Sequence, residues 1–279
     1  MNDASSNAAP AHAYVLGHSG HEIERLKAQA QLIDPVTRRF FRDAGLAPGM
    51  RVLDVGSGAG DVAFLAADIV GSKGEVVGVD RVAEALVTAR ERAAAQSLHN
   101  VSFRAGDPGE MTFERPFDAI IGRYVLQFQK DPAAMLRQLA TRVRAGGLIV
   151  FHEIDWGGLA SFPPVPTFDQ CCRWGAETLR RHGTETRMGS KLYATYVAAG
   201  LPQPTVRQEA LMGGGAKAAD LLQRIASLVA TLLPEMERQG VATAAQVGLD
   251  TLLQRMTDEV NAGTSVITGH FQVCAWTRL

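Results

Sequence analysis

Apolar and polar positions along this chain follow two rhythms. Short runs rich in Val, Ile, Leu and Ala, too short for helices, read as buried strands: Arg51–Asp54, Glu75–Asp80, Val101–Ala105, Phe117–Gly122 and Leu148–Glu153. Between them apolar residues recur at helical spacing, as Val82, Leu86, Ala89 and Ala93 do, and 132–143 reads as another helix. The turn Arg144-Ala145-Gly146-Gly147 leads into the fifth strand. Strands alternating with helices predict a parallel sheet covered on both faces. Ligands in such sheets sit at the carboxyl ends of the strands. Asp54 through Gly60, Asp80, Asp107, Arg123 and Glu153 all fall there.

The flanks follow other patterns. Ile23, Leu26, Ala30 and Ile33 have helical spacing, Asp34-Pro35 predicts a cap and a fresh helix, and Gly45 stops it. After the fifth strand, 161–166 reads as a stiff loop rich in proline, followed by helices near 167–182 and 189–199 and a strand from Thr205 to Leu211. Gly213-Gly214-Gly215 reads as a hinge or loop. Leu221, Ile225, Leu228 and Leu232 form one helical stripe, and Leu249, Leu252, Leu253, Met256 and Val260 form another. The alternation from Phe271 to Trp276 predicts a last strand. The chain therefore divides into a disordered tail (1–13), an N-terminal helical segment of a lid (14–46), an α/β core (47–212), a helical insertion (213–263) and the last strand of the core (264–279).

Composition narrows the partners. The 279 residues are 46% apolar and carry a formal charge of −1, so no electrostatic case exists for nucleic acid or a membrane surface. No apolar run approaches the ~20 residues of a membrane span. Residues 1–10 lack the basic start and apolar core of a secretory signal. The three cysteines, Cys171, Cys172 and Cys274, have no CxxC spacing, so a cytoplasmic setting is expected. Homodimerisation through an apolar helix stripe remains open.

The candidate chemistry centres on Asp54-Val55-Gly56-Ser57-Gly58-Ala59-Gly60-Asp61. A strand, a glycine turn and a helix start make a cradle in which backbone approaches a ligand closely. The dinucleotide fingerprint wants glycine at the sixth place, which here is Asp61. An acid there suits a ligand without phosphates, or one carrying positive charge. Asp80 ends the second strand and can accept both hydroxyls of a ribose, or cap the following helix. Asp107 can accept an exocyclic amine with Pro108 against the ring, or simply hold a Gly-Asp-Pro-Gly turn. Arg123 can close on a cofactor carboxylate, on a substrate, or on a surface acid. An adenosine reader without a phosphate reader, with acid near the cradle, suggests S-adenosylmethionine.

Val52 to Gly60, Val79-Asp80, Gly106-Asp107, Phe117 to Ile121 and Arg144 to Gly147 together resemble the ordered motifs of class I S-adenosylmethionine-dependent methyltransferases. Tyr14, Gly17, Glu24-Arg25-Leu26 and Gln29 resemble the lead-in of a bacterial small-molecule subgroup. The resemblance implies a Rossmann-like α/β fold with a seven-stranded sheet, mostly parallel, whose last strand is antiparallel. It implies cofactor contacts at Asp54, Gly56, Gly58, Asp80, Asp107 and Arg123, with Ser57, Arg81 and Pro108 beside them. It also implies that Tyr14 and Gln29 fold over the cofactor.

Methyl transfer to a small molecule requires the nucleophile to be held in line and water excluded, which is worth roughly 7–11 kcal/mol. A general base adds ~10²–10⁴-fold where a proton must leave. His152 and Glu153 are the candidates, with Tyr124 and Gln127 after the fourth strand. In an alternating strand His152 and Glu153 point oppositely, so one at most faces the site. His152, Glu153 and Asp155 match no standard metal spacing, so no metal is expected. His18 and His21 fit either the entrance or a solvated helix start. Trp156, Phe162 and Trp174 are candidate pocket lining. Two rivals stand beside this reading: a nicotinamide-dependent oxidoreductase and a non-catalytic S-adenosylmethionine-binding protein.

Overall fold

A computed structural model describes the chain from Gly20 onward, with side chains from Leu32. Tyr14 and His18 lie outside the described residues, as do the side chains of His21 and Gln29. The order is α1 (Gly20–Ala44), β1 (Arg51–Val55), α2 (Asp61–Val70), β2 (Glu75–Asp80), α3 (Ala83–Ala95), β3 (Val101–Ala105), β4 (Phe117–Arg123), α4 (Pro132–Ala140) and β5 (Val143–Asp155). There follow β6 (Ala160–Phe162), α5 (Pro166–Arg181), α6 (Met188–Ala198), β7 (Thr205–Gly214), α7 (Ala219–Gln239), α8 (Ala244–Val247), α9 (Leu249–Gly263) and β8 (Val266–Arg278).

The strands run β3-β2-β1-β4-β5-β8, with β7 on the outer side of β8. β1 to β5 are parallel, and β8 returns antiparallel to β5, pairing Phe151 with Ala275 and Asp155 with Phe271. The antiparallel last strand is thus as expected, but among the described residues the sheet has eight strands rather than seven. The extra one is β6, which falls in the segment read as a stiff loop. It continues the β5 side of β8, Phe162 opposite Val266. Three residues next to two prolines carry too little alternation to be read as a strand.

Alternation along the central strands sorts the core into two layers. Ala119, Ile121, Leu148 and Val150 face α1, α2 and α3. Ile120, Ile149 and Phe151 face α4 and α6. A third apolar cluster lies at the β6 end of β8, where α5, α7 and α9 pack Phe168, Leu179, Ile225, Leu232, Met256 and Val260 around Trp156 and Ile267.

Three expectations need correcting. α1 is one helix that runs through Pro35. A proline inside a helix costs ~3 kcal/mol, but Ile33, Val36, Phe40 and Phe41 on both sides of it are buried, and their packing offsets that cost. Gly213 and Gly214 belong to β7, paired with Ile267 and Val266, and are not a free hinge. A Cβ on Gly213 would lie 2.1 Å from the Lys217 carbonyl, so close backbone packing demands the glycine. β5 begins at Val143, not Leu148, and absorbs Arg144–Gly147 through a register shift opposite β4 between Phe117 and Ala119.

Candidate functional site

β1 delivers Asp54 to the carboxyl edge of the sheet, and the chain turns through Gly56 (φ 67°), Gly58 (φ 49°) and Gly60 (φ 92°) into α2. The Gly56 and Ser57 N–H groups donate to the Val79 carbonyl at 2.8 and 3.1 Å, which fastens the turn to β2. A Cβ on Gly56 would come within 2.9 Å of Val125 Cγ2, so the loop after β4 rests directly on the cradle. A Cβ on Gly58 would meet nothing within 4 Å, so this part of the backbone faces open space.

Asp61 does not play the part its position suggested. Its carboxylate pairs with Arg92 at 2.6 Å, and Arg92 also donates to the Ala59 carbonyl at 2.7 Å. Its charge is neutralised locally and says little about the ligand. The informative acid is Asp54. It is 1% exposed, and neither carboxylate oxygen has a partner at hydrogen-bonding geometry. Burial pushes its pKa well above the usual range, against the pull of Arg123. Only the Ala63 N–H and the Arg123 charge act to favour its ionised form, and a buried carboxyl so poorly served is costly unless a ligand supplies more. A cationic donor molecule would favour ionisation of this carboxyl, whereas a pyrophosphate would oppose it.

Asp80 closes β2 and serves the turn on both sides. Oδ2 accepts from the Gly58 N–H at 2.8 Å and Oδ1 from the Val82 N–H at 2.9 Å. Each oxygen keeps a lone pair for a ribose hydroxyl. Asp107 accepts from the Gly109 N–H at 2.8 Å and pairs with the exposed Arg81. Desolvation raises its pKa, but the Arg81 and Gly109 bonds outweigh this and hold the carboxyl below its usual value. Pro108 beside it is buried. Ser57 is buried and its hydroxyl has no partner.

Arg123, at the end of β4, is 6% exposed. It donates to Asp34 at 2.7 Å and to Thr37 Oγ1 at 3.1 Å, both on α1. Of the three roles open to it, the one occupied here is an acid pair, but in the interior rather than at the surface.

His152 and Glu153 point to opposite sides of β5, as the alternation requires. His152 lies between the edges of the Phe40 and Tyr124 rings, 5.0 and 5.4 Å away. Its Nδ1 is 3.1 Å from Thr37 Oγ1 and its Nε2 is 3.0 Å from Gln272 Oε1. Burial, with the Arg123 charge, pushes its pKa down to about 3, so the ring is neutral. Glu153 turns the other way. Its Oε1 accepts from the Val125 and Leu126 N–H groups at 2.9 and 2.8 Å. Burial raises its pKa to about 8, although these backbone donors pull it back. The carboxyl therefore clamps the loop after β4. That loop begins at Tyr124, which holds a left-handed conformation (φ 61°) that side chains rarely adopt. The Tyr124 hydroxyl donates to Gln272 Oε1 at 2.5 Å.

Asp155 bonds Ser190, Gly157 and Arg187. Among the described residues no three His, Cys, Asp or Glu side chains converge on a metal-sized centre. Trp156 is buried, its ring centroid 4.5 Å from that of His270 with the two rings nearly perpendicular, and Trp174 packs against the helical cluster. Phe162 is 80% exposed: a three-residue strand at the rim leaves it facing solvent.

Sequence reasoning missed Asp34, Thr37, Arg224, His270 and Gln272. The last two carried a readable signal: polar residues on alternate positions of an otherwise apolar strand, on the face shared with buried Cys274.

Residues 46–199 match a family model described as "Methyltransferase domain". The chain is 33% identical over 134 residues to the demethylmenaquinone methyltransferase of Staphylococcus aureus (strain MRSA252), covering 48% of this chain and 52% of that one. It is 33% identical over 137 residues to the aklanonic acid methyltransferase DauC of Streptomyces sp. (strain C5), covering 49% and 62%. The chain thus spans less than two thirds of the length of either relative. In fold it is similar to the YcgJ protein of Bacillus subtilis, with a TM-score of 0.51 at 19% identity over 86% of this chain and 96% of that one.

Proposed function

Since the chain belongs to the methyltransferase domain family, we propose that it moves a methyl group from S-adenosylmethionine to a small-molecule acceptor. The observation that carries this reading is Asp54, a buried carboxylate without a partner in the strand that leads into an open glycine turn. When bound, the donor supplies an electrophilic methyl on a sulfonium cation. The protein's own part is to hold and orient. Asp80 offers its remaining lone pairs to the ribose, and Asp107 with Pro108 frames the adenine, with Arg81 over the rim. Gly56, Ser57 and Gly58 let backbone approach. Arg123 anchors α1 across the mouth, and α1 together with α7, α8 and α9 forms the lid that keeps water out.

His152 is neutral and held on both nitrogens, so it positions Gln272 and Tyr124 rather than taking a proton. Glu153 positions the loop that carries Tyr124. Catalysis then rests on alignment, which alone supplies roughly 7–11 kcal/mol. The relatives' names give demethylmenaquinone and aklanonic acid as their acceptors. That supports a small-molecule acceptor, and we place it in secondary metabolism. The three free cysteines support a cytoplasmic setting.

Calorimetric titration with S-adenosylmethionine tests the reading. Asp80→Ala should weaken binding by about 1.5–3 kcal/mol, the loss of hydrogen bonds to a charged group. Unchanged affinity would mean the ribose lies elsewhere.

A further inference from the structure

β7 is an outer strand of the sheet: among the described residues it pairs with β8 and with nothing beyond it. An open edge presents a row of N–H and C=O groups that another strand can take up, and proteins blunt such edges by shortness, proline or charge. The sheet's other edge strands are shorter: β3 has five residues, and β6 has three with two prolines after it. β7 runs for ten residues with no proline inside it. No backbone hydrogen bond leaves its outer side among the described residues. Its alternation is unbroken, because the extra residue at the register shift sits on β8, where Ala210 pairs with Phe271 and Met212 with Thr268. Arg207 and Glu209 turn towards α1, where they pair with Asp43 and Arg39. Val206, Gln208, Ala210 and Met212 turn to the opposite face, and all four are exposed.

We propose that β7 is the docking surface for a second copy of this chain, joined edge to edge and antiparallel about a two-fold axis through Gln208. The side chains fix that axis. With the axis normal to the sheet, residues set opposite each other point to the same face, so the axis passes through a residue and not between two. An axis at Arg207 sets that arginine against its own copy, and an axis at Glu209 does the same with two glutamates; like charges directly opposite are destabilising. An axis at Gln208 instead sets Arg207 of each copy opposite Glu209 of the other. On the far face it sets Val206 opposite Ala210 and brings the two Gln208 amides together. Within one copy Arg207 and Glu209 lie 3.5 Å apart and are already paired with α1, so the second copy extends a row of alternating charge rather than neutralising bare groups. The charges therefore select the register, while the backbone hydrogen bonds and the burial of Val206 and Ala210 hold the pair together. Such a contact closes on itself and gives a dimer, not a filament. The proposal does not depend on the methyl-transfer reading.

The test reads mass and cross-linking on the full chain. Sedimentation equilibrium from about 1 to 100 μM should show monomer and dimer in exchange. Gln208→Cys should form an intermolecular disulfide under mild oxidation, since the axis sets the two side chains opposite. Val206→Cys and Ala210→Cys should cross-link with each other when mixed, and not each with itself. Arg207→Glu and Glu209→Arg each set like charges opposite and should weaken self-association about tenfold. Mixed together they set glutamates against arginines and should pair again. Sedimentation of the unaltered chain needs no variant to fold. A monomer at every concentration would overturn the proposal. So would a dimer that both charge variants retain, a mixture of the two that fails to pair, or Val206→Cys linking to itself as readily as Gln208→Cys does.

Discussion

The two halves of the carboxyl edge are built differently. On the cradle side, the acids at the ends of β2 and β3 are each held by a turn N–H two residues on and by one group from the preceding strand end: Asp80 by Val82 and Gly58, Asp107 by Gly109 and Arg81. On the acceptor side, the groups come from opposite ends of the chain. Asp34 and Thr37 reach Arg123, Thr37 reaches His152, and His152 and Tyr124 both reach Gln272. The cradle side is a set of turns tied between adjacent strand ends of β1, β2 and β3. The acceptor side exists only when α1, β4, β5 and β8 are assembled. Local turns suit a ligand common to many enzymes, and a composite wall is where acceptor specificity can vary without disturbing the cradle.

The sharpest break of this contrast is Glu153→Ala. It leaves two buried N–H groups unpaired and frees Tyr124 from its left-handed conformation. Thermal or urea unfolding should show a loss of about 2–4 kcal/mol. Methyl transfer should collapse with it. The same residue gives a pH signature. Its folded pKa is raised, to about 8 from a usual 4.5, so between those values the folded state holds a proton that the unfolded state has lost. This stabilisation is full below pH 4.5 and falls as pH rises through 8. Relative to Glu153→Gln, which cannot titrate, the unaltered protein should lose stability steadily across that window. Parallel stability curves would show that Glu153 is ionised throughout.

Next in size is Asp54→Asn. Removing a carboxyl that can ionise beside a cation should weaken S-adenosylmethionine by about 1.5–3 kcal/mol while leaving the ligand-free fold at least as stable. A large drop in melting temperature would instead make Asp54 structural and blur the contrast. His152→Phe keeps the ring and discards both hydrogen bonds. It should lower turnover about tenfold with donor affinity unchanged, because it touches only the composite wall. Equal losses in donor binding and turnover would join the two regions into one unit. The smallest effect is expected at Phe162, exposed at the rim, where Phe162→Ser should stay within ~0.5 kcal/mol of the parent in unfolding experiments.

Legibility follows the same division. The strand Glu75–Asp80 is legible to the residue and the first strand to within one, Val55 continuing it past Asp54, because period-2 burial and a glycine turn are local signals. The resemblance to class I S-adenosylmethionine-dependent methyltransferases rests on the same local motifs, and the family match agrees with it. The β6 strand escaped notice because its pairing partner lies about a hundred residues further on. Pro35 misled because helix-breaking is a local rule that buried neighbours override. His152 and Glu153 were found as a pair, but which way each points and what it holds depended on α1 and the loop after β4.

The chain by itself determined the alternation of strands and helices, the glycine cradle and the acids at the ends of β2 and β3. Each of these is settled by a few consecutive residues and their backbone preferences. Only the tertiary structure decided that Asp61 is spent on Arg92, that Asp54 is left without a partner, and that Tyr124, His152, Gln272 and Thr37 form one hydrogen-bonded wall. Those facts turn on burial and on contacts between distant segments, and no short stretch of sequence encodes either.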